Sequence, residues 1–256
     1  MSDATEYTRI VDGVLEVTIS TSDRGTSLDF AGVRAGTAAL SDPDTDVGAV
    51  LLVGKGNNFC AGGDVRAFAA ASPRGPYLLE VAAQLHDFLR LLATGPAPVI
   101  AAVQGWAAGA GMSLVCAADI AVGSPATRLR PAYPGIGFTT DGGMSWNLPR
   151  IVGTARAREI LLTDRVLTGE EAHDLGILGR LVPDGSVHAD AAELARTLAA
   201  GPRSAHAGIK RLLDSSARTS YTDQLDLERA AIAAAGDSPT GTEGVNAFVE
   251  KRAPKF

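Results

Sequence analysis

The sequence contains very little cysteine: Cys60 and Cys116 are the only two among 256 residues. Two thiols are too few for a disulfide framework or a cysteine-based zinc site, so we expect buried thiols in a reducing compartment. Three of the four histidines, His173, His188 and His206, also lack the spacing of metal ligands, and no metal site is predicted.

Positive charge is scarce as well. The chain has 23 Lys and Arg against 29 Asp and Glu, a net charge of −6, and no run of basic residues that could follow a phosphate backbone. Nucleic-acid binding is therefore not expected. The first residues, MSDATEYTR, contain no apolar segment of the kind found in secretion signals, so a cytoplasmic location is predicted.

One long stretch is nearly free of polar residues, and its length alone suggests a membrane span. Between residues 97 and 118 only Gln104 and Ser113 are clearly polar. However, the stretch is rich in Ala and Gly, is interrupted by Gly105 and is followed by Asp119. We interpret it as a buried strand followed by a buried, Gly-rich helix start, and expect no membrane association.

The remaining pattern predicts an α/β protein. Two β-like runs flank Asp12-Gly13, which indicates a hairpin, and VGAVLLVGKG and APVIAAVQG have the uniformly apolar character of strands covered on both faces. Helical stretches occupy residues 28–42 and 76–93, GWAAGAGMS is predicted as a turn, and DIAVGSPATRLR as a strand with a return strand. From about residue 155 only helices are expected, with a capping box formed by Thr168 and Glu171. The repetition favours a spiral of successive layers.

Four segments together resemble the crotonase (enoyl-CoA hydratase/isomerase) superfamily: NNFCAGGDVRAF, PVIAAVQGWAAGAGMSLVCAADIAVG, PAYPGIGFTTDGGMSWNLPRIVG and GVNAFVEKRAPKF. The resemblance covers nearly the whole chain. It implies a spiral core of ββα repeats over residues 1–195 and a C-terminal helical trimerisation region over residues 196–256. It also implies acyl-CoA thioester substrates, no cofactor besides the CoA of the substrate, and a homotrimer or a dimer of trimers.

The two Gly-rich turns, CAGGD and GAGMS, allow backbone N–H groups to approach a ligand closely. The resemblance implies that Gly63 and Ala110 donate these N–H groups to the thioester oxygen, forming an oxyanion hole. Taken alone, each turn is better explained by glycines that only permit a tight strand-to-helix connection. The resemblance places Ala61 and Asp64 close to the ligand, although Asp64 is also a suitable cap for the following helix.

Three further residues are candidate CoA contacts through the resemblance. Phe248 and Lys251 match positions that in the family can approach the CoA bound to an adjacent subunit. Arg24 follows the first hairpin. A solvated surface position is the alternative for Lys251, whose ammonium could meet a phosphate as a point charge.

Hydratases of the superfamily use two glutamates, and neither is present here. The corresponding positions hold Ser113 and Tyr133, which are both candidate substrate contacts. By the same resemblance Tyr133 would line the acyl pocket, with ordinary core packing as the alternative. Hydration adds a hydroxyl and a proton at different carbons and needs two acid/base groups. Serine and tyrosine have reference pKa values far from neutrality (about 10 for tyrosine), so ordinary hydratase activity is not favoured.

Asp141, in the segment FTTDGGMSW, is the remaining carboxylate candidate. Considered locally, it could be the N-cap of a helix. However, isomerases and dehalogenases of the superfamily carry an aspartate at the equivalent position, as acid/base or nucleophile respectively. Dehalogenases also have a catalytic histidine on the preceding helix; His86 lies on that helix about one turn too early, and we interpret it as a helix-surface residue.

The sequence therefore predicts an enoyl-CoA isomerase in which Asp141 moves a proton from one carbon of the acyl group to another. Three alternatives stay open: another thioester reaction such as dehalogenation or hydrolysis, residual hydration, and a non-catalytic acyl-CoA-binding subunit. Phe138 and Trp146, the aromatic residues beside Asp141, are expected to pack in the core.

Overall fold

The computed structural model describes residues 4–256. Its strands are β1 (Thr8–Val11), β2 (Val14–Thr21), β3 (Ala49–Lys55), β4 (Val99–Val103), β5 (Trp106–Ala108), β6 (Ile120–Gly123), β7 (Arg128–Arg130), β8 (Leu167–Thr168) and β9 (Arg180–Leu181). Its helices are α1 (Ala4–Tyr7), α2 (Phe30–Ser41), α3 (Val65–Ala70), α4 (Arg74–Thr94), α5 (Ala110–Ala117), α6 (Met144–Val152), α7 (Thr154–Leu162), α8 (Gly169–Asp174), α9 (Val187–Ala199), α10 (Arg203–Ser216), α11 (Tyr221–Gly236) and α12 (Pro239–Glu250).

The strands form two sheets. The larger has the order β1-β2-β3-β4-β6-β9, in which only β1 and β2 are antiparallel. The predicted hairpin is confirmed, with Val11 opposite Val14 across the turn. The smaller sheet has the order β5-β7-β8. The two sheets alternate along the chain, as in a layered spiral.

The apolar strands are covered on both faces, as their composition predicts. Along β3, Val50 and Leu52 point into the main hydrophobic core between the sheets and helices. Leu51 and Val53, which alternate with them, contact the inner side of α9, where Ala191 is fully buried. The period of two in a strand makes this division possible, because successive side chains point to opposite faces.

Three details of the predicted pattern are wrong. Part of the predicted turn GWAAGAGMS forms β5, and β7 does not return beside β6 but pairs in parallel with β5. The region after residue 155 also contains strands, because β8 and β9 add one short strand to each sheet. The capping box of α8 is confirmed, with both the Thr168 and the Glu171 side chains bonded to the backbone.

The helices that end the chain differ in how they attach. Residue 195 lies within α9, which packs along its length on the large sheet. The next helix, α10, is attached by Lys210, whose buried ammonium contacts Asp119 at 2.8 Å and the carbonyl oxygen of Leu92 at 2.7 Å. The nearly apolar stretch over residues 97–118 contains β4, β5 and α5, which agrees with its interpretation as a buried strand followed by a helix start, and among residues 4–256 no helix is both long and apolar enough to cross a bilayer.

Candidate active site

The two Gly-rich turns lie against each other. Cys60 forms a parallel bridge with Ala107, and the N–H of Ala108 donates to the carbonyl oxygen of Cys60 at 2.9 Å. The backbone then turns at Gly109, whose φ of 52° and ψ of −122° suit glycine. α5 begins directly after this turn, so both loops present their backbone at the same place.

The N–H groups of Gly63 and Ala110 face no protein acceptor within residues 4–256. Ala110 is the first residue of α5, where the N–H has no intrahelical partner and the helix dipole is positive. Both residues line the same cavity. A negatively polarised oxygen between them would meet two free donors, which is the requirement for an oxyanion hole.

The cavity has a volume of about 750 Å³ and a mainly apolar lining. α4 contributes Val81 and Leu85, and Phe68 and Phe138 stack with ring centroids 6.2 Å apart. Phe138 therefore lies at the cavity and not in the closed core. Such a volume suits a small-molecule acyl group.

Among the described residues that line this cavity, Asp141 is the only acid. Its carboxylate Oδ1 lies 2.7 Å from Nε2 of His86, and both side chains are partly exposed, at 39% and 38%. The helix-cap alternative is wrong, because α6 begins at Met144 and the preceding Gly143 offers no side-chain cap. The carboxylate contacts His86 instead, and the residue lines the cavity.

The contact of His86 with Asp141 is not among the features predicted from the sequence. Leu78, Ala82 and Leu85 of α4 line the cavity. Residues four apart on a helix share a face, so Ala82 and His86 point the same way. The apolar spacing of α4, continued by one step, could therefore have placed this histidine at the site.

Two hydroxyl groups are hydrogen-bonded to the main-chain carbonyl of Asp141. Ser113 Oγ donates to the carbonyl oxygen of Asp141 at 2.8 Å, and Tyr133 OH donates to the same oxygen at 3.2 Å. The two hydroxyls also contact each other at 3.0 Å. Burial, more than any neighbouring charge, raises the pKa of Tyr133 to about 12. This phenol stays protonated at neutral pH.

Gly142 allows the chain to pass close to this pair. Its φ is +61°, and a Cβ there would lie 2.8 Å from Cβ of Ser113. Ser113 is completely buried and lies outside the cavity lining, so a direct contact with substrate is not provided by this arrangement. Tyr133 is among the residues that line the cavity, as expected.

The other predicted binding residues lie in different places. Ala61 lines the cavity, whereas Asp64 accepts bonds from the N–H groups at the start of α3 and is its N-cap. Arg24 is exposed and contacts Asp29 at 3.3 Å, away from the lining. Phe248 and Lys251 lie at the end of α12 and do not reach the cavity of their own chain.

Trp146 lies outside the cavity lining and is not the core residue that was expected, because it is 51% exposed on α6. Both cysteines are buried free thiols, as predicted, and burial raises the pKa of each to about 12. Across residues 4–256, no group of three or more His, Cys, Asp or Glu side chains is arranged to hold a metal ion.

The chain is similar to known acyl-CoA proteins along almost its entire length. A model of the enoyl-CoA hydratase/isomerase family matches residues 9–256. The 1,2-epoxyphenylacetyl-CoA isomerase of Escherichia coli (strain K12) is 34% identical over 248 residues, which is 95% of each protein. The 4-chlorobenzoyl coenzyme A dehalogenase-1 of an Arthrobacter species is 35% identical over 181 residues, which is 70% of this chain and 66% of that enzyme.

A comparison of folds also relates the chain to this family. The crystal structure of an enoyl-CoA hydratase from Polaromonas sp. JS666 matches with a TM-score of 0.91 and 31% identity, covering 97% of this chain and 98% of that one. The predicted crotonase-like α/β spiral is confirmed. The chain therefore belongs to the enoyl-CoA hydratase/isomerase family and is an acyl-CoA enzyme of that family.

Proposed function

We propose that the protein shifts a double bond in an enoyl-CoA, with Asp141 as the acid/base. The observation that carries this proposal is that Asp141 is the only acid among the described cavity-lining residues and shares the cavity with the free N–H groups of Gly63 and Ala110. A reaction that moves one proton between two carbons needs one such group.

In the proposed reaction, the N–H groups of Gly63 and Ala110 bind the thioester oxygen of a 3-enoyl-CoA. The carboxylate of Asp141 removes a proton from C2, and the electron pair is delocalised into a dienolate whose oxygen the two N–H groups stabilise. Asp141 then returns the proton to C4, which leaves the double bond between C2 and C3. Proton transfer of this kind requires no cofactor besides the CoA of the substrate.

The role of His86 in this reaction is orientation. Its Nε2 is hydrogen-bonded to Oδ1 of Asp141, while Oδ2 has no hydrogen-bond partner among the described residues. A carboxylate held by one oxygen can present the other to the substrate in a fixed direction. Hydration is less well supported, because Ser113 and Tyr133 are neutral where a second acid would be required.

The test is the variant Asp141→Asn, assayed with a panel of 3-enoyl-CoA substrates by separating the isomers chromatographically. General acid–base catalysis contributes about 10²–10⁴-fold, and we expect a loss of at least about a hundredfold in kcat. A matched control is Asp64→Asn, since Asp64 is a nearby carboxylate that caps α3 outside the lining, and Asn also caps well. A loss of less than about tenfold on an accepted substrate would remove Asp141 from the chemistry.

A second candidate function follows from the contact between His86 and Asp141. A carboxylate nucleophile could attack an electrophilic carbon of the acyl group, expel its leaving group and form an ester, which a water activated by His86 would hydrolyse. The relative named 4-chlorobenzoyl coenzyme A dehalogenase-1 makes this chemistry relevant. Single-turnover mass spectrometry separates the two candidates, because only the nucleophilic route leaves an acyl adduct on Asp141.

We also propose that the chain assembles as a homotrimer or a dimer of trimers through its C-terminal helices. Large apolar residues on these helices are exposed in the single chain, with Phe248 at 85%, Ile232 at 73% and Leu213 at 68%. A surface of this kind is typical of an interface. The mass in solution, measured by light scattering, tests this assembly, and a monomer would contradict it. In such an assembly Phe248 and Lys251 remain candidates for contact with the CoA of a neighbouring subunit.

A further inference from the structure

One basic residue is present among the described residues that line the cavity. Arg130, the last residue of β7, lines the cavity, and its side chain is 44% exposed. Its carbonyl oxygen accepts the N–H of Gly109 at 3.0 Å, so the residue is directly connected to the second Gly-rich turn. In a mainly apolar cavity, a charged side chain is one of the few groups that can give polar specificity.

Arg130 is held in a fixed direction by Asp164. Its Nε and Nη2 atoms donate to Oδ2 of Asp164 at 3.0 and 2.6 Å, and Oδ1 of the same carboxylate accepts the N–H of Ala132 at 2.7 Å. The Asp164 side chain is only 12% exposed. The guanidinium is thus fixed from one edge, and its charge is compensated before any ligand arrives.

The backbone around this ion pair adopts an uncommon conformation. Asp164 has a φ of 54° and Ala132 a φ of 61°, both in the left-handed region that non-glycine residues rarely occupy. Such conformations persist only where the surrounding contacts enforce them, and they concentrate at functional sites. Here the Asp164 carboxylate accepts the two bonds that orient the guanidinium, and it also accepts the N–H of Ala132, which connects the two left-handed residues.

The neighbouring Arg128 shows what a purely structural arginine looks like on this strand. Its Nη1 donates to the carbonyl oxygens of Pro125 and Thr127, each at 2.7 Å, and it does not line the cavity. Nη1 of Arg130, by contrast, has no hydrogen-bond partner within residues 4–256. One edge of Arg130 is therefore used by the protein, and the other edge is free.

We propose that the free edge of Arg130 binds an oxygen atom on the acyl group, away from the thioester, so that the preferred substrates are oxygen-bearing acyl-CoA compounds. The inference rests on the proposed function only in that the cavity receives an acyl-CoA. Asp164 already balances the arginine charge, and Asp141 adds a further negative charge to the cavity. The site therefore favours an uncharged acceptor, such as a hydroxyl or carbonyl oxygen, over a carboxylate.

The test measures binding and not turnover. Saturated acyl-CoA ligands have no double bond to shift, so their dissociation constants are independent of whether Asp141 transfers a proton. Calorimetry with a series of chain lengths would compare three ligands at each length: the plain acyl-CoA, its ω-hydroxy form and its ω-carboxy form. The variants are Arg130→Met and, as a matched control on the same strand, Arg128→Met.

We expect Arg130→Met to weaken the best-binding hydroxyacyl-CoA by about tenfold or more, since a hydrogen bond to a charged donor is lost. The plain acyl-CoA should change by less than about twofold, and Arg128→Met should not alter the ratio of the two ligands. Arg130→Lys gives a second measurement if the Met variant folds poorly. It can keep the pairing with Asp164 but lacks the planar fork, so it should also lose the preference for the hydroxyl group.

Equal weakening of all three ligands in Arg130→Met would show that the residue only supports the loop, and would overturn the proposal. A wild-type preference for the carboxylate over the hydroxyl would overturn the inferred neutrality of the site. Failure of the wild-type protein to bind any acyl-CoA would contradict the proposed function itself, which separates that outcome from the others.

Discussion

The carboxylate and the main-chain carbonyl of Asp141 lie in different environments, an exposed one on the cavity side and a buried one on the other side. On the cavity side, its carboxylate and His86 are each more than one-third exposed and joined by one hydrogen bond of 2.7 Å. On the other side, its main-chain carbonyl is bonded by Ser113, which is fully buried, and by Tyr133, which is 9% exposed. The first arrangement leaves an ionisable group accessible, and the second fixes its position.

This difference explains the residue types at positions 113 and 133. A glutamate at either position would bring a second ionisable group beside Asp141, whereas two hydroxyls can donate to its carbonyl without adding charge. Removing an exposed partner should therefore change the reaction, and removing a buried partner should change the stability of the loop.

The largest effect is expected on the cavity side, from His86→Ala. Losing a charge-assisted hydrogen bond to Asp141 should lower kcat by about ten- to a hundredfold, with little change in the stability of the fold. His86→Gln is the matched variant, because its amide can still donate to Oδ1. If His86 only orients the carboxylate, Gln should restore kcat to within about tenfold of the wild-type value.

The same pair of variants can contradict the orientation role. If His86→Gln is as inactive as His86→Ala, the histidine transfers protons itself. Accumulation of an acyl adduct on Asp141 in His86→Gln would identify the nucleophilic route, because the ester would form but not be hydrolysed. The pH dependence of kcat gives a third readout, since an orienting residue should leave its shape unchanged when Gln replaces His.

An intermediate effect is expected on the buried side, from Ser113→Ala. The variant keeps the Cβ that packs against Gly142 but removes the shorter of the two bonds to the Asp141 carbonyl. We expect the free energy of unfolding to fall by about 1–3 kcal/mol, as measured by urea denaturation, with a smaller loss of kcat than in His86→Ala. Ser216→Ala, at an exposed helical serine whose hydroxyl also contacts a backbone carbonyl, should stay within about 0.5 kcal/mol.

The strands differ in how far the sequence predicts them. The apolar runs of β3 and β4 and the Asp12-Gly13 hairpin are locally encoded, and all three are confirmed. β8 and β9 contain two residues each, and their pairing depends on strands far away in the chain. Runs of that length carry no periodicity, so a helical region was predicted in their place.

The candidate site shows the same limit. Asp141 was selected because its segment resembles a known motif, but the choice between a cap and a cavity carboxylate required the start of α6. The contact of His86 with Asp141 joins residues 55 positions apart. That of Arg130 with Asp164 joins residues 34 positions apart. No local pattern encodes such pairs, although the cavity-facing spacing of α4 gave an unused signal for His86.

The smallest effect is expected from Tyr133→Phe. This variant tests whether the Tyr133 hydroxyl affects only stability and leaves the pH dependence of kcat unchanged. The ring still fills its place at the cavity, and Ser113 still donates to the Asp141 carbonyl, so the loss of the longer bond should cost about 1 kcal/mol or less. Because the pKa of Tyr133 is raised to about 12, its hydroxyl keeps the same protonation state below pH 10. The variant should leave the pH profile of kcat unchanged in that range.

Above pH 10 the stability that Tyr133 contributes to the fold falls as the pH rises. Carboxylates with a lowered pKa show the opposite dependence, because their contribution is lost as the pH falls. Tyrosine in the unfolded chain loses its proton near pH 10, while folded Tyr133 keeps it to about pH 12, so the folded state binds more protons between these values. Wild-type stability should then fall by up to about 1.4 kcal/mol per pH unit from this residue, and Tyr133→Phe should fall less steeply. The two buried cysteines contribute a similar loss to both proteins, so the difference between the curves isolates Tyr133. Parallel curves would mean that the phenol is more hydrated than its buried contacts with Ser113 imply.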